Sequence, residues 1–189
     1  MSDRYNKGIS VVAHCPDWAH QFESIATELG TLLAGIPVEG IEHVGSTSVP
    51  GLPAKPIIDI DVIVQRSAMT DATLALERGG YKHLGDLGVT DREAFGAPED
   101  NPARNVYLCV VGTLHVRNHL AVRETLRARP DLRDRYGTVK QKLASEPDMN
   151  IHRYLAGKSA VLQEVLAHSD LTPREKREIY ELNTRADPS

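Results

Sequence analysis

Cysteine is nearly absent: the 189 residues contain 2, Cys15 and Cys109. They lie far apart and in no metal-ligand spacing, so neither a disulfide framework nor a zinc ribbon organises the chain, and both read as reduced thiols. Aromatic residues make up 5%, which leaves a core built from Leu, Val, Ile and Ala. No apolar run approaches the ~18 residues of a membrane span. The polar start, Met1 to Ser10, lacks the apolar segment of a secretory signal. The chain is therefore expected in the cytoplasm, with no membrane contact. Positive charge is not in excess either; the formal net charge of −4 argues against an extended nucleic-acid footprint. A Walker sequence, a Gly-x-Gly-x-x-Gly and a Gly-x-Ser-x-Gly elbow are all missing, so P-loop, Rossmann and serine-hydrolase chemistry find no support.

What the chain does have is concentrated between Ile41 and Val64. From Ile58 to Val64, aliphatic residues alternate with Asp59 and Asp61. A strand repeats every second residue, which puts both carboxylates on one face, roughly 6–7 Å apart, and Ile58, Ile60, Val62 and Val64 on the other. Neighbouring carboxylates on an apolar strand repel each other and resist desolvation; a divalent cation relieves both problems. Upstream, Gly45 lets backbone approach an anion closely, and Ser46, Thr47 and Ser48 offer hydroxyls and amides. Carboxylates hold the cation, the cation holds phosphates, and the turn holds the far oxygens. Mg2+ suits such an oxygen-rich arrangement. The competing view is a solvated strand edge beside a plain Gly/Pro loop, but Asp is depleted in strands and two in register need a reason.

A Gly-Ser turn, a loop, then Asp-x-Asp on a strand resembles the signature of the DNA polymerase β-like nucleotidyltransferase superfamily. The fuller string from His43 to Val62 resembles the GrpB family within it. Arg104-Asn105-Val106-Tyr107, His119 to Arg123, Leu126 to Pro130, Tyr136, Lys140 and Tyr154 to Ser159 resemble that family's second half, so the likeness spans roughly residues 10 to 170. It implies an α+β fold with a small mixed β-sheet flanked by helices and a helical C-terminal half. It also implies nucleotidyl transfer from an NTP to a small-molecule acceptor with Mg2+. Asp59 and Asp61 would be the catalytic, metal-binding carboxylates, with Gly45 and Ser46 on the triphosphate. Thr47, Ser48 and Lys55 belong to the same phosphate loop, and Lys140, Lys158 and Arg104 are further anion contacts.

The superfamily usually supplies a third carboxylate from a later strand, expected here at Asn105 to Val111, and that strand has none. Tyr107 also departs from the Asn-x-His common in the family. Glu42, Asp86, Asp91 and Glu93 are the candidate substitutes. The alternative reading is a non-catalytic module that binds a nucleotide or coenzyme phosphate and keeps the fold. It fits the occurrence of similar domains fused to dephospho-coenzyme A kinase.

Apolar spacing predicts a helix from Asp17 to Ala34 with Asp17 as N-cap, a strand near Gly40 to Val44, and a helix ending at Gly79-Gly80. A short strand over Tyr81 to Leu84 precedes a long loop from Gly85 to Ala103, whose Arg92 is an anion candidate. Helices follow over Val116–Arg129, Asp131–Ser145 and Asn150–His168. A last one runs from Leu171 to Leu182, capped by Thr172 with Pro173 and Glu175 behind it. Residues 1–170 form one expected domain, and 171–189 add a helix and a tail fraying after Asn183. Arg123 and Arg127 share a helix face, where solvation is the default and phosphate clamping the alternative. His43 either packs at a strand end or bonds the turn. His115 and His119 stand four apart, but no third ligand stands at a recognised spacing, so zinc is not expected.

Overall fold

Alternation of apolar and polar residues in the first half of the chain produces a 5-stranded sheet in the computed structural model, which describes residues 10–185. The order is α1 (Asp17–Leu32), β1 (Val38–Val44), a 3₁₀ turn at Ser46–Ser48, β2 (Ile58–Val64), α2 (Met69–Arg78), β3 (Lys82–His83), β4 (Arg92–Gly96) and β5 (Arg104–Val110). Helices complete it: α3 (Leu114–Ala128), α4 (Pro130–Ser145), α5 (Ile151–Ala167) and α6 (Pro173–Arg185). The strands lie in the order β1-β2-β5-β4-β3, with β2 and β5 parallel and the other neighbours antiparallel. Sheet first and helices second is the α+β arrangement the pattern predicts.

The two faces of β2 go to different places. Ile58, Ile60, Val62 and Val64 are buried with Val106 and Leu108 against Trp18, Ile25 and Leu29 of α1 and Ala72 and Leu76 of α2. Burying each such aliphatic side chain is worth about 1.5–3 kcal/mol, enough to fix the register against a one-residue slip. Asp59 and Asp61 are thereby forced onto the opposite face, toward the helical half. That half has its own core, in which Leu126, Leu132, Tyr136, Val161 and Val165 enclose Val49 and Leu52 of the loop before β2. Ala54 of the same loop belongs to the sheet core. The loop thus bridges two cores.

The expected long loop from Gly85 to Ala103 is instead interrupted by β4. Ala94 and Phe95 are buried and pair with β5 in the register Glu93↔Leu108 and Phe95↔Val106. An adjacent apolar pair among turn residues has no strand period, so tertiary pairing supplies the strand that local pattern did not. The strand at Tyr81 to Leu84 shortens to Lys82–His83. At α1 the N-cap is Pro16, with Asp17 in the first turn, where its charge still suits the helix dipole. At α6 the Thr172–Glu175 box forms: Thr172 N–H donates to Glu175 Oε2 at 2.8 Å and Glu175 N–H to Thr172 Oγ1 at 3.3 Å. The polar start ahead of Ser10 and the end of the expected tail, after Arg185, lie outside the described residues.

Candidate functional site

Gly45 follows β1 with φ +70° and ψ −171°, a conformation that residues with a Cβ avoid. A Cβ there would stand 3.0 Å from both Cβ and Cγ of Asp59 and closer still to its Oδ2, so the turn backbone rests directly on the carboxylate. Ser48 Oγ donates to Gly45 O at 2.6 Å. Thr47 Oγ1 donates to Ile57 O at 3.1 Å and so accepts the Nε2–H of His43 at 3.0 Å. Burial, reinforced by Arg127 and Arg123, holds the His43 pKa down at about 4, so this imidazole is neutral near pH 7. From α3, Arg123 Nη1 donates to Glu42 Oε2 at 2.7 Å and to His43 O at 2.8 Å, while Arg127 Nη2 and Nε reach Ser48 O at 2.7 and 3.1 Å. The two arginines staple the turn to the helix.

Ser46, Thr47, Lys55, Ile57, Asp59, Asn105, Lys140, Tyr154 and Lys158 line a cleft of ≈ 170 Å³. Its cations come from the loop, α4 and α5. Lys140 is 2% exposed, donates to Pro53 O at 2.5 Å and stands 5.1 Å from the Tyr136 ring centroid. Gly137, one turn earlier, lets α4 settle on the loop: a Cβ there would stand 2.8 Å from Pro53 Cδ. The Tyr154 ring carries Lys158 at 4.8 Å and Lys55 at 5.3 Å, and its buried hydroxyl has no hydrogen-bond partner. Burial and then repulsion from Lys158 bring Lys140 down to about 7; burial and then Lys55 bring Lys158 down to about 8. Burial also lowers Lys55. Against these stands Asp59, whose Oδ1 accepts Asn105 Nδ2 at 2.8 Å and whose pKa burial raises.

Asp61 lies two residues on and in another setting. It is fully buried, and its Oδ2 lies 2.9 Å from His119 Nδ1. Its Oδ1 faces His115 Nε2 at 3.8 Å, too far for a hydrogen bond, and neither atom has another partner. Burial pushes the carboxyl up, but the two imidazoles outweigh it and hold the pKa at about 2. His119 is shifted the other way: burial opposes its charge, and the bond to Asp61 more than compensates, raising its pKa. Burial lowers His115. Cys109 on β5 completes the group, its Sγ lying with the Asp61 and His115 donors within 4.8 Å of one another. The histidines dismissed as a zinc pair therefore have a third and fourth neighbour. No spacing rule links positions 61, 109, 115 and 119; only the parallel pairing of β2 with β5 and the packing of α3 bring them together.

Among the expected site residues, Ser46, Thr47, Lys55, Asp59, Lys140 and Lys158 line one cleft with Gly45 at its edge, and Tyr154 and Asn105, which carried the resemblance but no expected role in the site, join them. Ser48 does not: it is buried and its hydroxyl is spent on Gly45 O. Arg104 lies elsewhere. It is 2% exposed, its Nε donates to Tyr81 Oη at 3.2 Å, and it pairs with Glu28 of α1 at 3.6 Å, on the other side of the sheet. Its neighbour Asn105 alternates toward the cleft, so Arg104 must point away. Arg92 lies over the Tyr107 ring at 4.8 Å. The candidate third acids are committed elsewhere: Glu42 to Arg123, Asp91 to Arg66, Glu93 to His83, and Asp86 to the Gly88 amide.

For a pair of Mg2+ ions the donor set does not fit. One carboxylate, Asp59, opens to the cleft; Asp61 is buried and clasped by imidazoles; and Asn105, level with Asp59, offers an amide where a third acid would stand. Mg2+ favours hard oxygen ligands and open water positions, which the Asp61 surroundings of nitrogen and sulfur do not supply.

The five-stranded mixed sheet with its six helices has a nucleotidyltransferase-like fold. A structure of the GLD-2/RNP-8 complex shares it with a TM-score of 0.51 at 16% identity, covering 98% of this chain and 72% of that one. The chain belongs to the GrpB protein family, whose sequence profile matches residues 8–168. The crystal structure of the conserved protein GrpB from Enterococcus faecalis is similar with a TM-score of 0.72 and 35% identity, over 84% of this chain and 98% of that one. A UPF0157 protein of Halalkalibacterium halodurans is 34% identical over 170 residues, 89% of this chain and 86% of its own. A dephospho-CoA kinase of Mycolicibacterium paratuberculosis is 28% identical over 178 residues, which cover 79% of this chain and 43% of the kinase.

Proposed function

We propose that the cleft binds the phosphate end of a nucleotide or coenzyme-like small molecule, and that binding rather than two-metal nucleotidyl transfer is its role. The observation that carries this reading is the convergence of Lys55, Lys140 and Lys158 on a cleft that holds Asp59 as its carboxylate. Desolvated ammonium groups that depress one another's pKa store unfavourable free energy, and a di- or triphosphate relieves it. The ≈ 170 Å³ of space is below the ~300–1,000 Å³ of pockets that swallow a whole drug-sized ligand, so the base or acceptor end lies outside. Ser46 and Tyr154 line the cleft, and on this reading their hydroxyls donate to phosphate oxygens while Gly45 brings the turn amides close. The relatives that carry a kinase name favour coenzyme phosphates beside NTPs as ligands.

Nucleotidyl transfer is the second reading, favoured by Asp59 beneath the Gly45 turn. The two separate cleanly. Calorimetry with pyrophosphate, NTPs, coenzyme A and dephospho-coenzyme A, in chelator and then in Mg2+, should show binding without metal. Lys140→Met/Lys158→Met should weaken it by a hundredfold or more, about 1.4 kcal/mol for each factor of ten. Equal binding by parent and double variant, or none by the parent, overturns the proposal. Pyrophosphate release from an NTP with any acceptor would establish transfer instead.

A further inference from the structure

Beside the lysine cleft, we infer that Asp61, Cys109 and His115 form a binding site for a divalent transition metal of the zinc class. Asp61 Oδ1 and His115 Nε2 are buried, face each other at 3.8 Å, and have no hydrogen-bond partner, an arrangement that costs free energy and that an ion between them would relieve. Cys109 Sγ joins them: it, a carboxylate oxygen of Asp61 and a ring nitrogen of His115 all lie within 4.8 Å of one another. Zinc bonds of ~2.0–2.3 Å at tetrahedral angles separate ligand atoms by roughly 3.3–3.7 Å, so the trio closes on an ion by about an ångström or less of side-chain motion. The chemistry of the donors selects the metal. One thiolate, one imidazole and one carboxylate oxygen suit Zn2+, or Co2+ in its place, and disfavour Mg2+, which demands oxygen.

The fold supports the trio from outside. His119 Nδ1 holds the second carboxylate oxygen of Asp61 at 2.9 Å, which fixes the direction in which Oδ1 points. His115 and His119 pack with ring centroids 4.1 Å apart on one face of α3. Ile63 and Val116 surround the sulfur, and Cys109 itself is fully buried. Metal binding here releases a proton from the thiol, so affinity rises with pH.

The test uses the full chain, purified in chelator and titrated with Zn2+ against a chromophoric competitor, then loaded with Co2+. Binding of one ion per chain is expected, with a sulfur-to-cobalt charge-transfer band in the near ultraviolet. Cys109→Ser should abolish that band, and Cys109→Ser and His115→Ala should each weaken Zn2+ binding about a hundredfold, with His119→Asn costing about tenfold. Circular dichroism reports whether each variant folds; should Cys109→Ser not fold, the parent's cobalt spectrum decides. A folded parent that binds no Zn2+, a cobalt complex without the thiolate band, or displacement by a modest excess of Mg2+ would overturn the site. The phosphate calorimetry in chelator reads the lysine cleft alone, so failure of one proposal leaves the other standing.

Discussion

Asp59 and Asp61 occupy the same face of one strand, yet their surroundings are opposite in kind. Asp59 opens to a cleft of ammonium groups that crowd one another, and burial raises its pKa. Asp61 is sealed behind imidazoles that hold its pKa near 2. The first region is underfilled with negative charge and asks for an anion; the second already holds its anion and leaves donor atoms for a cation. A strand carrying alternate carboxylates is therefore not by itself a metal pair. What packs above each residue decides its chemistry, and here α4 and α5 cover one while α3 covers the other.

Three substitutions test that contrast, beginning with the largest effect. His119→Leu leaves the buried Asp61 carboxylate without its hydrogen-bonded partner, and stability should drop by about 3–5 kcal/mol in urea unfolding. The parent's dependence on pH follows from the same pair. The raised His119 pKa means its contribution is complete below the unfolded value near 6.5 and fades as pH climbs through the folded one. The lowered Asp61 pKa means its share is present above about 3.8 and fades as pH falls through about 2. His119→Leu should erase the alkaline decline.

Gly45→Ala comes next. It drives a Cβ into the Asp59 carboxylate at φ +70°, which should cost roughly 2–4 kcal/mol and displace the turn from the cleft. Phosphate-ligand binding should be lost in the fraction that folds, while Zn2+ binding at Asp61 persists. Loss of both together would show that the two regions are one.

The smallest expected change in stability has the opposite sign. Lys140→Met removes a buried ammonium whose pKa is held near 7, and the ligand-free protein should gain about 1–3 kcal/mol at pH 6 while losing phosphate affinity. In the parent, the depressed Lys140 and Lys158 values mean that the unfolded chain binds more protons between about 7 and 10.5, so this term makes stability rise with pH. Ligand affinity should move the other way, falling as pH rises past 8. A Lys140→Met protein less stable than the parent at pH 6 contradicts the account of crowded charge.

Much of the sheet was legible because β2 states its register outright: aliphatic residues on one face and carboxylates on the other leave one way to pack. The Thr172–Glu175 cap and the proline-bounded helices were legible for the same local reason. β4 was not, since Ala94 and Phe95 acquire their strand conformation from β5 across the sheet. The cleft was read from its motif residues, Gly45, Ser46 and Asp59, and from lysines at positions resembling the family. Arg104, expected as an anion contact at the exit of a loop, instead begins β5, where alternation with Asn105 turns it to the other face of the sheet. The Asp61 group was invisible for a deeper reason: its members come from β2, β5 and α3, and contact at that range is set by topology.

Gly137 has a consequence for the spacing of the cleft. Because α4 touches Pro53 through that bare backbone, the helix acts as a shim whose thickness is a single hydrogen atom. An alanine there would lift α4 from the loop and carry the Lys140 ammonium outward with it, widening the gap to Asp59 without altering any residue that meets a ligand. Under the proposed phosphate role, a position with no side chain of its own would then set how wide the cleft stands.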